Sequence, residues 1–253
     1  MRSLKTSGNT VLVTGGSSGI GFALARAFSN SGNKVIICGR NEEKLQRAKE
    51  KLPGIEAKKC DISQREDVES LVRWIDLEYP QLNILVNNAG IQRSIELKKG
   101  IQEVDKGQAD DEISINFRAQ VILSEFFIPN FLKRPEGTVI VNVSSGLAFV
   151  PIARFPIYCA TKAAIHSFTM SLRYQLKDTK IKIFELIPPT VYDTELKGRP
   201  LEKSDWTVSS AEVADAMMKG LETDEFEIAV GSTRNWLRAS KNDLDQAFGN
   251  INR

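Results

Sequence analysis

Only one histidine, His166, occurs in the 253 residues, and that scarcity removes whole classes of chemistry. A multi-histidine metal site cannot be built from it. A Ser-His-Asp hydrolase would have to use a residue inside a helical segment, far from any Gly-x-Ser-x-Gly elbow. His166 therefore reads as a packing residue. Cysteine is sparse too: Cys38, Cys60 and Cys159 are odd in number, widely spaced and without a CxxC pair. They read as reduced, packed thiols and not as a disulfide framework or zinc ligands. No apolar run is long enough to span a bilayer, and the first residues lack the apolar core of a signal peptide, so a cytoplasmic protein with no membrane partner is expected. Charge of one sign is also missing. A formal net charge of +2 with no basic block offers nothing to a nucleic acid.

What is present is enough apolar sequence, 42% of residues, for one well-buried domain over 1–253, and no repeat, low-complexity stretch or linker divides it. Short β-branched runs alternate with helical periodicity along the chain. Thr10–Thr14, Lys34–Gly39, Ile55–Cys60, Leu82–Val86, Gly137–Val143, Lys180–Ile187 and Glu225–Val230 read as strands, and the helices between them include 64–79, about 110–132 and the segment around Tyr158. Continuous apolar strands of this kind are buried on both faces. The expected fold is α/β: a doubly wound, Rossmann-type parallel sheet of about seven strands in a three-layer α/β/α arrangement. The polar stretch from Gln92 to Gln108 reads as a surface excursion, and 235–248 as one amphipathic terminal helix. About 190–210 is an excursion at the substrate side, and within it the polar stretch from Glu195 to Thr207 is either a mobile lid over a site or a plain exposed loop.

Gly15-Gly-Ser17-Ser18-Gly19-Ile20-Gly21 follows the first strand and opens a helix. In that setting glycines let the backbone approach a pyrophosphate, whose charge meets free N–H groups at the helix N-terminus. The second strand ends in Gly39-Arg40, where a free ribose 2′-hydroxyl would call for an acidic residue and a 2′-phosphate for a cation. Arg40 thus favours NADP over NAD, against the alternative that it sits on a surface loop. Asp61, followed by Ile62, is placed either to accept a bond from an adenine amino group or to cap the next helix. Asn87-Asn88-Ala89-Gly90 leaves the fourth strand with amide side chains able to tie strands together. Tyr158 and Lys162 are four apart on a helix, so phenol and ammonium share a face. A cation within about 4–6 Å would lower a phenol pKa from its usual value of about 10.

Thr14-Gly15-Gly-Ser-Ser-Gly19-Ile-Gly21, Asn87-Asn-Ala-Gly90 and Tyr158-Cys-Ala-Thr-Lys162 stand in the order of the TGxxxGxG, NNAG and YxxxK motifs. Over nearly its whole length the chain resembles the compact short-chain dehydrogenase/reductase family. Within it, the stretch Ser145-Gly-Leu-Ala-Phe149, the run from Tyr158 to His166 and the turn Pro188-Pro189 resemble the DltE type of bacterial oxidoreductase. The resemblance implies an NADP-dependent enzyme that moves a hydride between nicotinamide and a small carbonyl or secondary alcohol without a metal. It implies Tyr158 as general acid/base, Lys162 lowering its pKa and holding the ribose, Ser145 bonding the substrate carbonyl and Asn116 anchoring a water in a proton relay. It places Asp61 and Ile62 at the adenine, Asn88, Ala89 and Gly90 at the nucleoside wall, and Pro188, Val191 and Thr194 toward the carboxamide. There Pro189 replaces a usual glycine and one extra residue precedes the threonine. It implies a homodimer or homotetramer paired through the helices around Asn116 and after Lys162. A catalytically silent NADP-binding regulator of the same fold is the alternative, although it would have no need of Ser145, Tyr158 and Lys162.

Overall fold

The computed structural model describes residues 5–99, 108–194, 196 and 201–252. The strands are β1 (Thr10–Thr14), β2 (Lys34–Gly39), β3 (Glu56–Lys59), β4 (Ile84–Asn87), β5 (Thr138–Val143), β6 (Ile181–Ile187), β7 (Thr190–Val191), β8 (Thr207–Val208) and β9 (Glu227–Ala229). The helices are α1 (Gly19–Asn30), α2 (Glu42–Lys51), α3 (Arg65–Glu78), α4 (Gln108–Ile113), α5 (Ala119–Leu132), α6 (Pro156–Gln175), α7 (Ser210–Thr223), α8 (Thr233–Asn242) and α9 (Leu244–Ile251). Seven strands form one parallel sheet in the order β3-β2-β1-β4-β5-β6-β9, the doubly wound arrangement expected.

Burial on both faces explains the unbroken apolar strands. Val11 and Val13 of β1 pack with Leu24 and Phe28 of α1 and Val213 and Met217 of α7. Leu12 between them faces the other way, against Val68 and Leu71 of α3 and Leu123 and Phe127 of α5. Each such side chain, fully withdrawn from water, contributes about 1.5–3 kcal/mol. Strand order reverses between β1 and β4, so the turns after β1, β4, β5 and β6 open onto one crevice at the carboxyl edge.

Three expectations change. The stretch beginning at Gln92 is not all surface: Gln92 and Ile95 are buried, and the Ile95 N–H donates to the Arg154 carbonyl; residues 100–107 lie outside the described residues. The helix over 110–132 contains a π-helical turn, Ser114–Arg118, between α4 and α5. The terminal segment is two helices, because Asp243 is extended (φ −155°, ψ 92°) and its side chain accepts the Gln246 N–H, capping α9. In the excursion about 190–210, residues 195 and 197–200 lie outside the described residues. Its two ends pair as a short parallel ladder, Thr190 with Thr207 and Val191 with Val208.

Candidate active site

The glycine turn leaves β1 and becomes the first turn of α1. Ser18 caps α1 in position only, since its side chain makes no capping bond, so the first N–H groups of the helix are left for a ligand. A Cβ on Gly21 would collide with the Gly15 carbonyl oxygen and stand 2.5 Å from Asn88 Nδ2, which only glycine avoids. Thr14 joins this turn to β4: its hydroxyl accepts the N–H groups of Asn88 and Ala89, both at 3.0 Å, and Asn88 Nδ2 donates to its carbonyl at 2.9 Å. Deeper in the sheet, Asn87 Nδ2 donates to Asn142 Oδ1 and Asn142 Nδ2 to Thr169 Oγ1, so the amides do tie neighbouring elements.

A cleft of about 430 Å³ runs from this turn along the carboxyl edge. Gly15, Ser17, Ser18, Gly19, Ile20 and Gly21 line one side. Arg40, Asp61 and Ile62 close one end, and Asn88, Ala89 and Gly90 form the floor. Tyr158, Lys162, Pro188 and Thr194 stand at the other end. Val191 is not at this cleft; it lines a second, smaller cavity next to it. Arg40 is half exposed with Nη1 3.9 Å from Asp61 Oδ2, while Asp61 Oδ1 accepts from the backbone N–H and hydroxyl of Ser63. Lys44, just past the Asn41 cap of α2, also lines the cleft, and no motif in the sequence marks it.

The smaller cavity, about 60 Å³, opens beside Tyr158 and Ser145. Ser144 and Ser145 diverge at the end of β5. The Ser144 hydroxyl donates to Glu185 Oε1 at 2.5 Å, whereas Ser145 turns to the cavity, accepts the Leu147 N–H and is hydrogen-bonded to the Tyr158 phenol. Lys162 is buried with Nζ donating to the Val143 carbonyl at 2.8 Å and standing 5.6 Å from the centre of the Tyr158 ring. Burial pushes the Tyr158 phenol well above its usual value, and the Ser145 bond opposes that rise only in part. Burial pushes Lys162 down to about 8, against an opposing pull from Glu185. Burial is the largest cause of both shifts, raising the phenol and lowering the ammonium.

Asn116, on the π-helical turn, does not face the cleft. Its Oδ1 accepts the Ile91 N–H and its Nδ2 donates to the Ile91 carbonyl, both at 2.8 Å, and also to Thr161 Oγ1 at 3.2 Å. The side chain thus holds the backbone just after Gly90 and ties it to Thr161, and its Oδ1 keeps a second lone pair. Two residues of the smaller cavity have no local signature in the sequence. Gln92 comes from the segment after β4, and Trp236 comes from α8, packed so closely on Gly146 that a Cβ there would stand 2.5 Å from the indole.

The model of the short chain dehydrogenase family matches residues 9–204. The chain belongs to that family. It is an NAD(P)-dependent oxidoreductase of the short-chain class, and its relatives carry oxidoreductase and dehydrogenase names. DltE of Bacillus subtilis, an uncharacterized oxidoreductase, is 46% identical over 98% of this chain and 98% of its own. YdfG of Escherichia coli, an NADP-dependent 3-hydroxy acid dehydrogenase, is 32% identical over 74% of this chain and 75% of its own. A short chain dehydrogenase from Burkholderia cenocepacia in complex with NADP superposes with a TM-score of 0.84 at 23% identity, covering 98% of this chain and 99% of that one. No helix among the described residues is long and apolar enough to cross a membrane.

Proposed function

We propose that the protein interconverts a small carbonyl compound and its secondary alcohol with NADP as the preferred cofactor and Tyr158 as the proton donor and acceptor. The observation that carries this is the position of Tyr158 on the wall between the two spaces: it borders both the long cleft of the glycine turn and the small cavity with Ser145. The cleft suits a dinucleotide, because Gly21 lets the turn pack tightly against Gly15 and Asn88 and the uncapped start of α1 offers N–H groups to a pyrophosphate. The bound cofactor supplies or takes up the hydride. Arg40, with Lys44 nearby, gives the cation a 2′-phosphate requires, and the preference for NADP has the same character as that of YdfG.

In the reduction direction, Ser145 donates a hydrogen bond to the substrate oxygen and Tyr158, whose raised pKa keeps it protonated, gives its proton to that oxygen as the carbon accepts hydride. Lys162, pinned at Val143, would hold the ribose and keep a positive charge beside the phenolate that results. Asn116, on the π-helical turn, fixes Ile91 and would anchor the water of a proton relay. Copies of the chain pair through the exposed apolar residues Ile113, Leu132, Met170 and Tyr174 on the helices around Asn116 and after Lys162, in a cytoplasmic dimer or tetramer. The test is Tyr158→Phe, assayed by NADPH oxidation with a panel of ketones and aldehydes. Turnover falls by about 10²–10⁴-fold while NADPH still binds; unchanged turnover overturns the assignment.

A further inference from the structure

Glu185 is a fully buried carboxylate to which the mechanism above gives no task. It lies on β6 in register with Asn142 of β5, one residue short of Val143, whose carbonyl holds Lys162 Nζ. Oε1 accepts the Ser144 hydroxyl at 2.5 Å, and Oε2 stands 2.8 Å from His166 Nδ1. Accepting at both oxygens is the pattern of an ionised acid. Ser144 lines the cofactor cleft, whereas the His166 side chain is 25% exposed, so the charge sits between the cleft and water. His166 follows Lys162 by one turn of α6, which sets the two on one face of the helix, and both feel the Glu185 charge. The other charged and titratable neighbours are few. Glu227 of β9, paired in register with Glu185, and Arg173 of α6, 3.4 Å from Glu227, act on His166. Tyr158 faces Lys162, and Glu112 of α4 acts on Tyr158.

We propose that Glu185 is a positioning residue for the reaction: it is the counter-charge that keeps Lys162 an ammonium beside Tyr158, and His166 sets the strength of that charge from the solvent side. The inference rests on the carbonyl-reductase reading above, in which Lys162 acts as a cation. Burial drives the proton off Lys162 and Glu185 opposes that, leaving a value of about 8. The bond to Glu185 raises His166 in turn. At pH below that raised value the ring is charged and the His166–Glu185 pair is neutral as a whole. Little of the carboxylate's charge then reaches Lys162, which is protonated there in any case. As pH climbs and the ring loses its proton, the whole negative charge is left to Lys162, in the range where burial would otherwise strip the ammonium. The pair therefore acts on the alkaline side.

The experiment reads Lys162 directly, by NMR of protein carrying carbon-13 at lysine Cε, with the Lys162 signal identified by its loss in Lys162→Arg. Glu185→Gln, nearly isosteric and uncharged, lowers the Lys162 titration midpoint by about one pH unit, and Glu185→Asp, which keeps the charge, restores most of it. His166→Asn keeps a donor to the carboxylate but cannot be charged, and leaves the midpoint at or just above that of the wild type. His166→Arg puts a fixed cation on the carboxylate at a partly exposed position and lowers the midpoint, so the two His166 variants decide the matter even where Glu185→Gln does not fold. Activity is followed as NADPH oxidation with a carbonyl compound that the wild type turns over. Glu185→Gln loses about 10-fold in kcat/KM at pH 8.5 and no more than about twofold at pH 6. A midpoint unmoved in Glu185→Gln, or equal in His166→Asn and His166→Arg, overturns the inference, as does a loss of activity by the same factor at both pH values. An absence of NADPH oxidation with every carbonyl in a wide panel defeats the reductase reading instead, and the Lys162 titrations judge the counter-charge without it.

Discussion

The two ends of the crevice are built by different means. At the cofactor end, the glycine turn, Arg40 and Asp61 lie within the first strand-turn units and are shaped by backbone: an unfilled Cβ position, an uncapped helix start, a threonine hydroxyl bridging two turns. At the substrate end, Gln92, Ser145, Tyr158, Val191 and Trp236 arrive from five separate segments, and side chains alone define the space. The first kind of site depends on conformation that few residues can adopt; the second depends on packing that many sequences can supply. A substitution at one end should therefore break a property cleanly, and at the other should retune it.

The largest effect expected is at Gly21. Gly21→Ala places a methyl against the Gly15 carbonyl and Asn88, and NADPH affinity measured by fluorescence titration falls on the order of 100-fold, in line with the roughly 1–3 kcal/mol cost of forced overpacking. Affinity within about twofold of wild type would show that the turn is as adaptable as the substrate end. Next, Arg40→Asp exchanges a phosphate partner for a repelling charge. The ratio of NADPH to NADH affinity is expected to drop by about 30-fold, the equivalent of about 2 kcal/mol for a charge-assisted bond. An unaltered ratio would mean that Arg40 serves Asp61 and not the cofactor.

The smallest effect lies away from both ends, at His166, which lines neither cavity. Its Nδ1 is 2.8 Å from Glu185 Oε2, and Phe149 packs on the ring; the bond to Glu185 raises its pKa against the opposing effect of burial. Lys162 and Arg173 on the same helix and Glu227 on β9 complete its charged surroundings. A histidine raised in this way contributes stability in full below its unfolded value of about 6.5, and that contribution is lost as pH rises through the higher folded value. Thermal unfolding of wild type and His166→Phe should therefore differ by about 1–2 kcal/mol at pH 5.5 and by less at pH 9. A difference that does not vary with pH would leave His166 a packing residue and nothing more.

The same contrast explains what can be read from the chain alone. Thr10–Thr14 and Lys34–Gly39 are legible to the residue because apolar content, strand length and the following glycine all act locally. Seven strands, their parallel order and the crevice follow from that alternation. Gln92 is hidden in a stretch whose polar composition suggests surface, since nothing local reveals that Asn116 and Glu112 draw its backbone inward. Spacing shows at Lys162 that two groups are neighbours, while the burial that is the largest cause of both pKa shifts depends on the packing of distant segments and leaves no local mark. The break in the terminal helix does have a signal, Asp243 followed three residues later by Gln246, the pattern of a new helix start.

The ladder between Thr190–Val191 and Thr207–Val208, with Asp193 accepting both the N–H and the hydroxyl of Ser210, fixes the two ends of the excursion in register with each other. A segment anchored in this way can vary in length cheaply, because the entropy of closing a loop grows only logarithmically, by about 0.6 kcal/mol for each doubling. Insertions, deletions and wholesale recomposition between those anchors are accessible to evolution with little loss of stability. New substrates can be acquired there while the sheet is inherited unchanged, and a protein engineer can exploit the same tolerance by grafting foreign loops between Leu196 and Thr207, which keeps Asp193 at its anchor and Thr194 and Leu196 at the nucleotide crevice.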